Sequence, residues 1–321
     1  MNPPYQLTDT ILSRVAEVMR LVGHIEALHT VAKQSLELRR QNRAKSIYST
    51  LSIEGNSLTI DQVSAVINDK PVLGPQKDIL EVANAIATYD RLPMMSGFEL
   101  VDLLGAHQLM MAKLTPESGK FRSRGVGIQK GGKITHIAPP AANITALMND
   151  LFGYLRDSQD HMLIKSCVCH YEIEFIHPFS DGNGRMGRLW QTRLLMDVAP
   201  IFEYLPIESM IKDRQQTYYA VLEACDASGS STQFIEFMLD VLAESLSQAA
   251  ADGDLRPMTC EERLAQARDH FGASRFARKD YYRLHQTIST ATASRDLKSG
   301  VTTGAVTAVG TGRMTRYYFI N

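Results

Sequence analysis

Between Asp9 and Leu38 the apolar residues Ile11, Leu12, Val15, Val18, Met19, Leu21, Val22, Ile25 and Leu28 recur at intervals of three and four. That spacing predicts an amphipathic helix with one face turned to a core. The same period runs through Lys77–Tyr89, Gly97–Leu114, Ile144–Asp157, Leu163–Ile176, Gly184–Val198 and Thr232–Ala249, so the body of the chain reads as mainly α. No unit repeats along the sequence, which argues against a solenoid. One stretch breaks the pattern. Val126, Gly127, Ile128 and Gln129 are separated from Ile134, Thr135, His136 and Ile137 by Lys130-Gly131-Gly132-Lys133, with Pro139-Pro140 behind. Two β-prone runs about a Gly-Gly turn predict a hairpin, and a lone hairpin needs a surface to lie on.

Near Ala250–Pro257 the residues shift to Ala, Asp, Gly and Pro, a linker composition. Beyond it, Phe276–Gln286 and Ser289–Ser299 read as two short helices, the second opened by Ser/Thr capping chemistry. Ala305–Val309 and Arg313–Ile320 then form a hairpin about Gly310-Thr311-Gly312. The expected division is 1–95 as an N-terminal helical region, 96–250 as a core, and 256–321 as a small C-terminal domain.

Length and charge narrow the functional classes. The 321 residues suit two or three domains. With 34 Lys and Arg against 35 Asp and Glu, the chain has no overall electrostatic bias toward nucleic acid or anionic membrane. Charge is instead segregated. Arg256–Asn321 holds 11 basic and 5 acidic residues, a surplus of six, which leaves the remainder at −7. Arg14, Glu17 and Arg20 interrupt the apolar start as a signal peptide would not allow, and no run has the length of a membrane span. The expectation is a soluble, cytoplasmic protein. Four Cys are too few for a disulfide framework. Cys167, Cys169 and His170 invite a metal reading, but residues two apart on a helix point to different faces, so they are expected in the core.

The chemistry concentrates in His177-Pro178-Phe179-Ser180-Asp181-Gly182-Asn183-Gly184-Arg185-Met186-Gly187-Arg188. Pro178 should end the preceding helix, and Met186, Leu189, Trp190 and Leu194 start the next at helical spacing. A glycine-rich loop that feeds a helix N-terminus exposes backbone N–H groups and the positive end of the helix dipole, which makes an anion cradle. Arg185 and Arg188, three apart, can reach the same anion, and two arginines imply more than one phosphate. Asp181 beside phosphate makes sense with a hard divalent cation between them. His177, whose ordinary pKa is about 6.5, suits a general base near neutral pH.

These twelve residues match the Fic signature His-x-Phe-x-Asp/Glu-Gly-Asn-Gly-Arg-x-x-Arg at every defining position, and the chain from about Leu51 to Leu239 resembles the Fic fold. The resemblance implies transfer of AMP from ATP to a hydroxyl side chain of a target protein. It assigns His177 as the base, Asp181 as the Mg²⁺ ligand, and Gly182, Asn183 and Gly184 as the cradle for the α- and β-phosphates. Arg185 and Arg188 then hold the outer phosphates, and Phe179 anchors the loop from the core. The hairpin, with Val126, Gly127, Ile128, Ile134, Thr135 and His136, becomes the flap that clamps the target by strand addition.

Upstream, Thr50-Leu51-Ser52-Ile53-Glu54-Gly55-Asn56 puts Thr50 and Glu54 on one helical face, with Gly55 suited to end the helix. This resembles the inhibitory motif Ser/Thr-x-x-x-Glu-Gly/Asn of Fic proteins, and the resemblance pairs Glu54 with Arg188. The C-terminal helices and hairpin resemble a winged helix, in which Arg295, Lys298, Arg313 and Arg316 would face DNA. A winged helix also serves as a protein-binding or dimer-forming module. Two other functions fit the same residues: a DNA-binding regulator whose Fic core senses nucleotide, and a Fic enzyme that removes AMP. The target, the modified side chain and the oligomeric state, a homo-oligomer included, stay open at this level.

Overall fold

The computed structural model describes residues 3–29, 36–125, 127–130, 133–251, 259–272, 274–285, 288–310 and 315–319. Its contacts divide the chain into two units, Met1–Val22 with Leu36–Gln248, and Gly23–Ser35 with Ala249–Asn321.

The first unit is built around an antiparallel pair, α7 (Met162–Ile176) and α8 (Asn183–Met196), which make the most extensive helix packing in the chain. From Leu163 to Tyr171 every residue of α7 is buried, Lys165, Ser166 and His170 included, so that helix is enclosed on all sides and central. Gly187 lets the two axes approach, because a Cβ there would meet the His170 ring at 2.7 Å. Trp190 is fully buried on α8, and its Nε1–H donates to the carbonyl of Gly97 at 3.1 Å.

Around this pair lie α5 (Leu100–Met110), α6 (Ile144–Asp157), α10 (Gln215–Ser228) and α11 (Thr232–Ala251). On another side lie α2 (Leu36–Ile53), α3 (Ile60–Ile67), α4 (Gln76–Arg91) and α9 (Ile207–Asp213). α1 (Asp9–His29) precedes them. α3 escapes a reading by periodicity because it is only eight residues long. A capping box defines it instead: Thr59 Oγ1 accepts from Gln62 N–H while Gln62 Oε1 accepts from Thr59 N–H. Of the apolar run that predicts one helix over Asp9–Leu38, α1 and the start of α2 are helical as expected, and residues 30–35 between them lie outside the described residues.

The expected hairpin is β1 (Gly127–Lys130) and β2 (Lys133–Ile137), antiparallel, with Gly127 opposite Ile137 and Ile128 opposite His136. The register shifts between Ile128 and Gln129, which leaves Thr135 as the extra residue of a bulge. Val126 and the Gly131-Gly132 turn lie outside the described residues.

The second unit contains α12 (Cys260–Phe271), α13 (Arg278–Leu284), α14 (Thr290–Thr302) and an antiparallel hairpin, β3 (Val306–Val309) with β4 (Arg316–Phe319). Leu264, Phe276, Tyr281, Leu297, Val306 and Phe319 form its own core. Arg263 and Asp296 make a buried fork at 2.7 and 2.9 Å. α13, α14 and the hairpin follow the expected order, and α12 is an added helix opened by the Thr259 and Glu262 capping box. Arg313 lies outside the described residues.

Candidate active site

α7 ends as Pro178 dictates. His177 is its C-cap in the left-handed region, at φ 50° and ψ 58°, with its N–H still donating to Ile173 at 3.0 Å. A non-glycine residue there is strained by roughly 1–3 kcal/mol, a cost that concentrates where geometry serves function. The loop that follows is held by three side chains. Phe179 is fully buried and stacks on His107 at 3.7 Å with 7° between the planes. Asn183 closes on Phe179 from both sides: its Oδ1 accepts from the backbone N–H and its Nδ2 donates to the carbonyl, each at 2.9 Å. The Asn183 amide therefore shapes the turn, and only its backbone N–H is left to serve an anion. Gly119 N–H donates to His107 Nδ1 at 2.8 Å, which leaves the ring proton on Nε2, 3.0 Å from the carbonyl of Asp181. Burial lowers the His107 pKa to about 4, so the ring stays neutral and that tautomer is fixed.

Gly182, at φ 87°, is the N-cap of α8. The first turn of that helix opens into a cavity of ≈ 680 Å³ lined by His177, Ser180, Asp181, Gly182, Asn183, Gly184 and Arg188, and across from them by Glu54, Glu174, Gln215 and Tyr219. That volume is in the range of small-molecule and cofactor sites. α8 has no side-chain cap, so its leading N–H groups face the opening.

The two arginines part company. Arg188 is 2% exposed and turns to α2, where Nε donates to Thr50 Oγ1 at 2.9 Å, and Nη2 donates to the Thr50 carbonyl at 3.2 Å and to Glu54 Oε1 at 2.6 Å. Burial alone would lower its pKa, but the charge and hydrogen bond of Glu54 together with Tyr218 and Glu174 outweigh it, and the guanidinium is held above its ordinary value. Arg185 is also buried, lies off the cavity, and pairs with Glu81 at 3.5 Å and Asp181 at 3.2 Å. Both arginines are thus engaged by carboxylates.

The end of α2 aims Glu54. Gly55, at φ 89°, stops the helix, and Asn56 N–H donates back to Leu51 at 3.0 Å. The Glu54 carboxylate lies over Gly184, where an added Cβ would collide with its Oε1 and meet Arg188 Nη1 at 3.1 Å and Glu174 Oε1 at 3.2 Å. Gly184→Ala must therefore push the Glu54 carboxylate aside; that carboxylate is the mobile end of a side chain and Ala is the better helix former, so folding stability is expected to change by less than ~1 kcal/mol while the Glu54–Arg188 bond is weakened. A loss of stability in chemical denaturation greater than that would contradict this account.

Glu174 has no distinguishing signal in the sequence, since α7 carries a second carboxylate, Glu172, two residues before it. It accepts from Tyr218 Oη at 3.0 Å. Burial lifts it to about 7, helped by Glu54 and Asp226 and opposed by Arg188 and Tyr218. Of the two adjacent tyrosines, Tyr219 lines the cavity, whereas Tyr218 is fully buried and also bonds His170 Nε2 at 3.0 Å. Cys167, Cys169 and His170 are buried in α7, and the His170 ring is engaged by Gln191 and Tyr218. Among the described residues no group of three or more His, Cys, Asp or Glu is placed to hold a metal. In the second unit, Arg295 and Lys298 are exposed on α14 and Arg316 is half-buried on β4. Among the described residues no helix is long and apolar enough to cross a membrane.

Residues 97–195 match the Fic/DOC family profile. The whole chain aligns with the crystal structure of a Fic family protein from Desulfovibrio desulfuricans G20, with 38% identity and a TM-score of 0.77, covering 100% of this chain and 98% of that one. Fic-1 of C. elegans shares the fold at 21% identity and a TM-score of 0.62, over 75% of this chain and 72% of that one. Curated relatives called protein adenylyltransferase Fic include one from Aedes aegypti, 27% identical over 242 residues, which is 71% of this chain and 46% of that protein. Another, from Drosophila ananassae, is 28% identical over 235 residues, 69% of this chain and 45% of that protein. The chain spans about half the length of these curated relatives.

Proposed function

This chain belongs to the Fic family, and on that premise we propose that it is a protein adenylyltransferase restrained by its own α2. The observation that carries the reading is the Glu54 carboxylate lying on Gly184 and Arg188, at the mouth of an anion cradle. In the proposed reaction the target hydroxyl oxygen attacks the α-phosphorus of ATP, the bond to the bridging oxygen breaks, and pyrophosphate leaves. His177, which lines the cavity one loop away from the cradle, takes the hydroxyl proton. Gly182 and Gly184 let phosphate oxygens approach the N–H groups of α8, and Arg188 receives the outer phosphate. Arg185, now on Glu81 and Asp181, would turn to phosphate once they release it.

Asp181 fits a role as the protein's Mg²⁺ ligand. Its carboxylate is 56% exposed at the cavity edge, and Mg²⁺ commonly takes one or two carboxylates and fills its shell from phosphate and water. The ion would supply neutralisation of phosphate charge. That need is real here, since Glu54, Glu174, Asp181, Glu223 and Asp226 line the cavity and Arg188 is already paired.

Glu54 opposes this chemistry in two ways. It occupies the guanidinium that the outer phosphate requires, and it repels the phosphate's charge across the same few ångströms. Mass spectrometry of Glu54→Gly after incubation with ATP and Mg²⁺ tests the assignment, since AMP transfer adds about 329 Da. No adduct on that variant would refute it.

For the second unit we propose a winged helix that contacts DNA through α14, supported by the exposed Arg295 and Lys298 and by its surplus of positive charge. Duplex DNA should shift with the full chain at low salt and release steeply as salt rises, and Arg295→Ala with Lys298→Ala should weaken the shift at least tenfold. Binding by the double variant equal to that of the parent would refute the surface.

A further inference from the structure

Arg122 is 3% exposed, and its guanidinium donates to carbonyl oxygens. Nε donates to His177 at 2.7 Å, Nη1 to Arg124 at 2.7 Å, and Nη2 to Pro139 at 2.7 Å and Ile176 at 3.3 Å. Its backbone N–H donates to Pro178 at 2.9 Å. Burial pulls its pKa below the ordinary value, so this cation is held at a cost that carbonyl dipoles only partly offset.

The acceptors fall into two pairs. Ile176 and His177 are the end of α7, with His177 in the left-handed region. Arg124 and Pro139 stand on either side of the β1–β2 hairpin, one at each foot. A planar fork with fixed donor directions can hold four oxygens in one relative arrangement, which a lysine ammonium on a flexible stem cannot do. Arg122 does not line the cavity, and its bonds touch neither Gly182 nor Gly184.

We propose that Arg122 is a positioning residue that fixes both feet of the hairpin to the peptide carrying His177, so that a strand added to the hairpin presents its hydroxyl to the imidazole. This rests on the adenylyltransferase reading above. Because the phosphate cradle is built without Arg122, its loss separates two quantities. Transfer at saturating ATP falls, while the ATP concentration at half-maximal rate holds.

The test uses the full chain in the Glu54→Gly background and follows self-modification as a function of ATP concentration. Arg122→Lys should lower the maximal rate at least thirtyfold and leave the half-saturating ATP concentration within about twofold. Hydrogen exchange should quicken at least tenfold at the amides of 127–130 and 133–137 and stay unchanged in the first turns of α8. Should Arg122→Lys fail to fold, two glycines inserted after the exposed Arg124 keep the guanidinium and lengthen one foot of the hairpin; the same split is expected. A maximal rate within twofold of the parent, or a half-saturating concentration that rises as far as the rate falls, would overturn the proposal. If the Glu54→Gly parent transfers no AMP, the enzymatic reading fails on its own. Hydrogen exchange then decides Arg122, and unchanged hairpin amides refute it.

Discussion

Replacing Glu54 by Gly is expected to raise the initial rate of self-modification with labelled ATP and Mg²⁺ between tenfold and a hundredfold. The magnitude follows from what is lost. The Glu54–Arg188 contact, at 2.6 Å, is a charge-assisted hydrogen bond to a buried guanidinium, and such bonds contribute about 1.5–3 kcal/mol. Releasing that much bias shifts a two-state equilibrium by a factor of ten to a hundred or more. An opposing effect acts on the fold. Arg188 keeps the Thr50 hydroxyl and carbonyl but loses its countercharge, so the variant without nucleotide should melt several degrees below the parent. ATP with Mg²⁺ should then raise the variant's midpoint by more than it raises the parent's, because at one ligand concentration the stabilisation grows with the logarithm of the affinity. A rate and a nucleotide-induced shift both equal to the parent's would remove the brake from the account. Glu54→Gln separates charge from shape. It keeps a hydrogen bond to Arg188 without repelling phosphate, and its rate should fall between the two.

What could be read in the residues beforehand depended on whether the cause was local. The loop after Pro178, the helix start behind the glycines and the stop at Gly55 are each set by the chemistry of neighbouring residues, and the structure places all three as read. Pairing between distant segments is different. Thr50 and Glu54 share a face of α2 by periodicity alone, but their meeting with Arg188, more than 130 positions away, came only through the family resemblance. The two arginines diverge for the same reason: spacing allows a shared face, while Glu81 on α4 draws Arg185 elsewhere. His107 and Arg122 carry no local signature at all. One looks like a histidine in an ordinary helix and the other like a surface charge in a loop. Their roles arise from carbonyl groups that the fold brings to them from α7 and the motif loop.

His177→Asn, made in the Glu54→Gly background, is expected to lower AMP transfer by roughly 10²–10⁴, the range for a positioned general base, with nucleotide affinity unchanged within about twofold. Asparagine is preferred over alanine because the residue sits at φ 50°, where Asn is tolerated and Ala adds strain. The substitution thus removes proton acceptance without disturbing the turn. The cradle should be indifferent to it: the N–H groups of α8, Gly184 and Arg188 do not depend on the imidazole, and the loop is secured by Asn183, Phe179 and His107. Single-turnover rates with calorimetric ATP binding make the comparison. A rate lost together with affinity would show that the turn had collapsed, and a variant that keeps more than a tenth of the parent rate would show that another group takes the proton. Glu174 is the group to try next in that event, since it lines the same cavity and its pKa is lifted to about 7, near the value a base at neutral pH needs. Its engagement by the Tyr218 hydroxyl argues that it is held for structure, which favours the imidazole as the proposed acceptor.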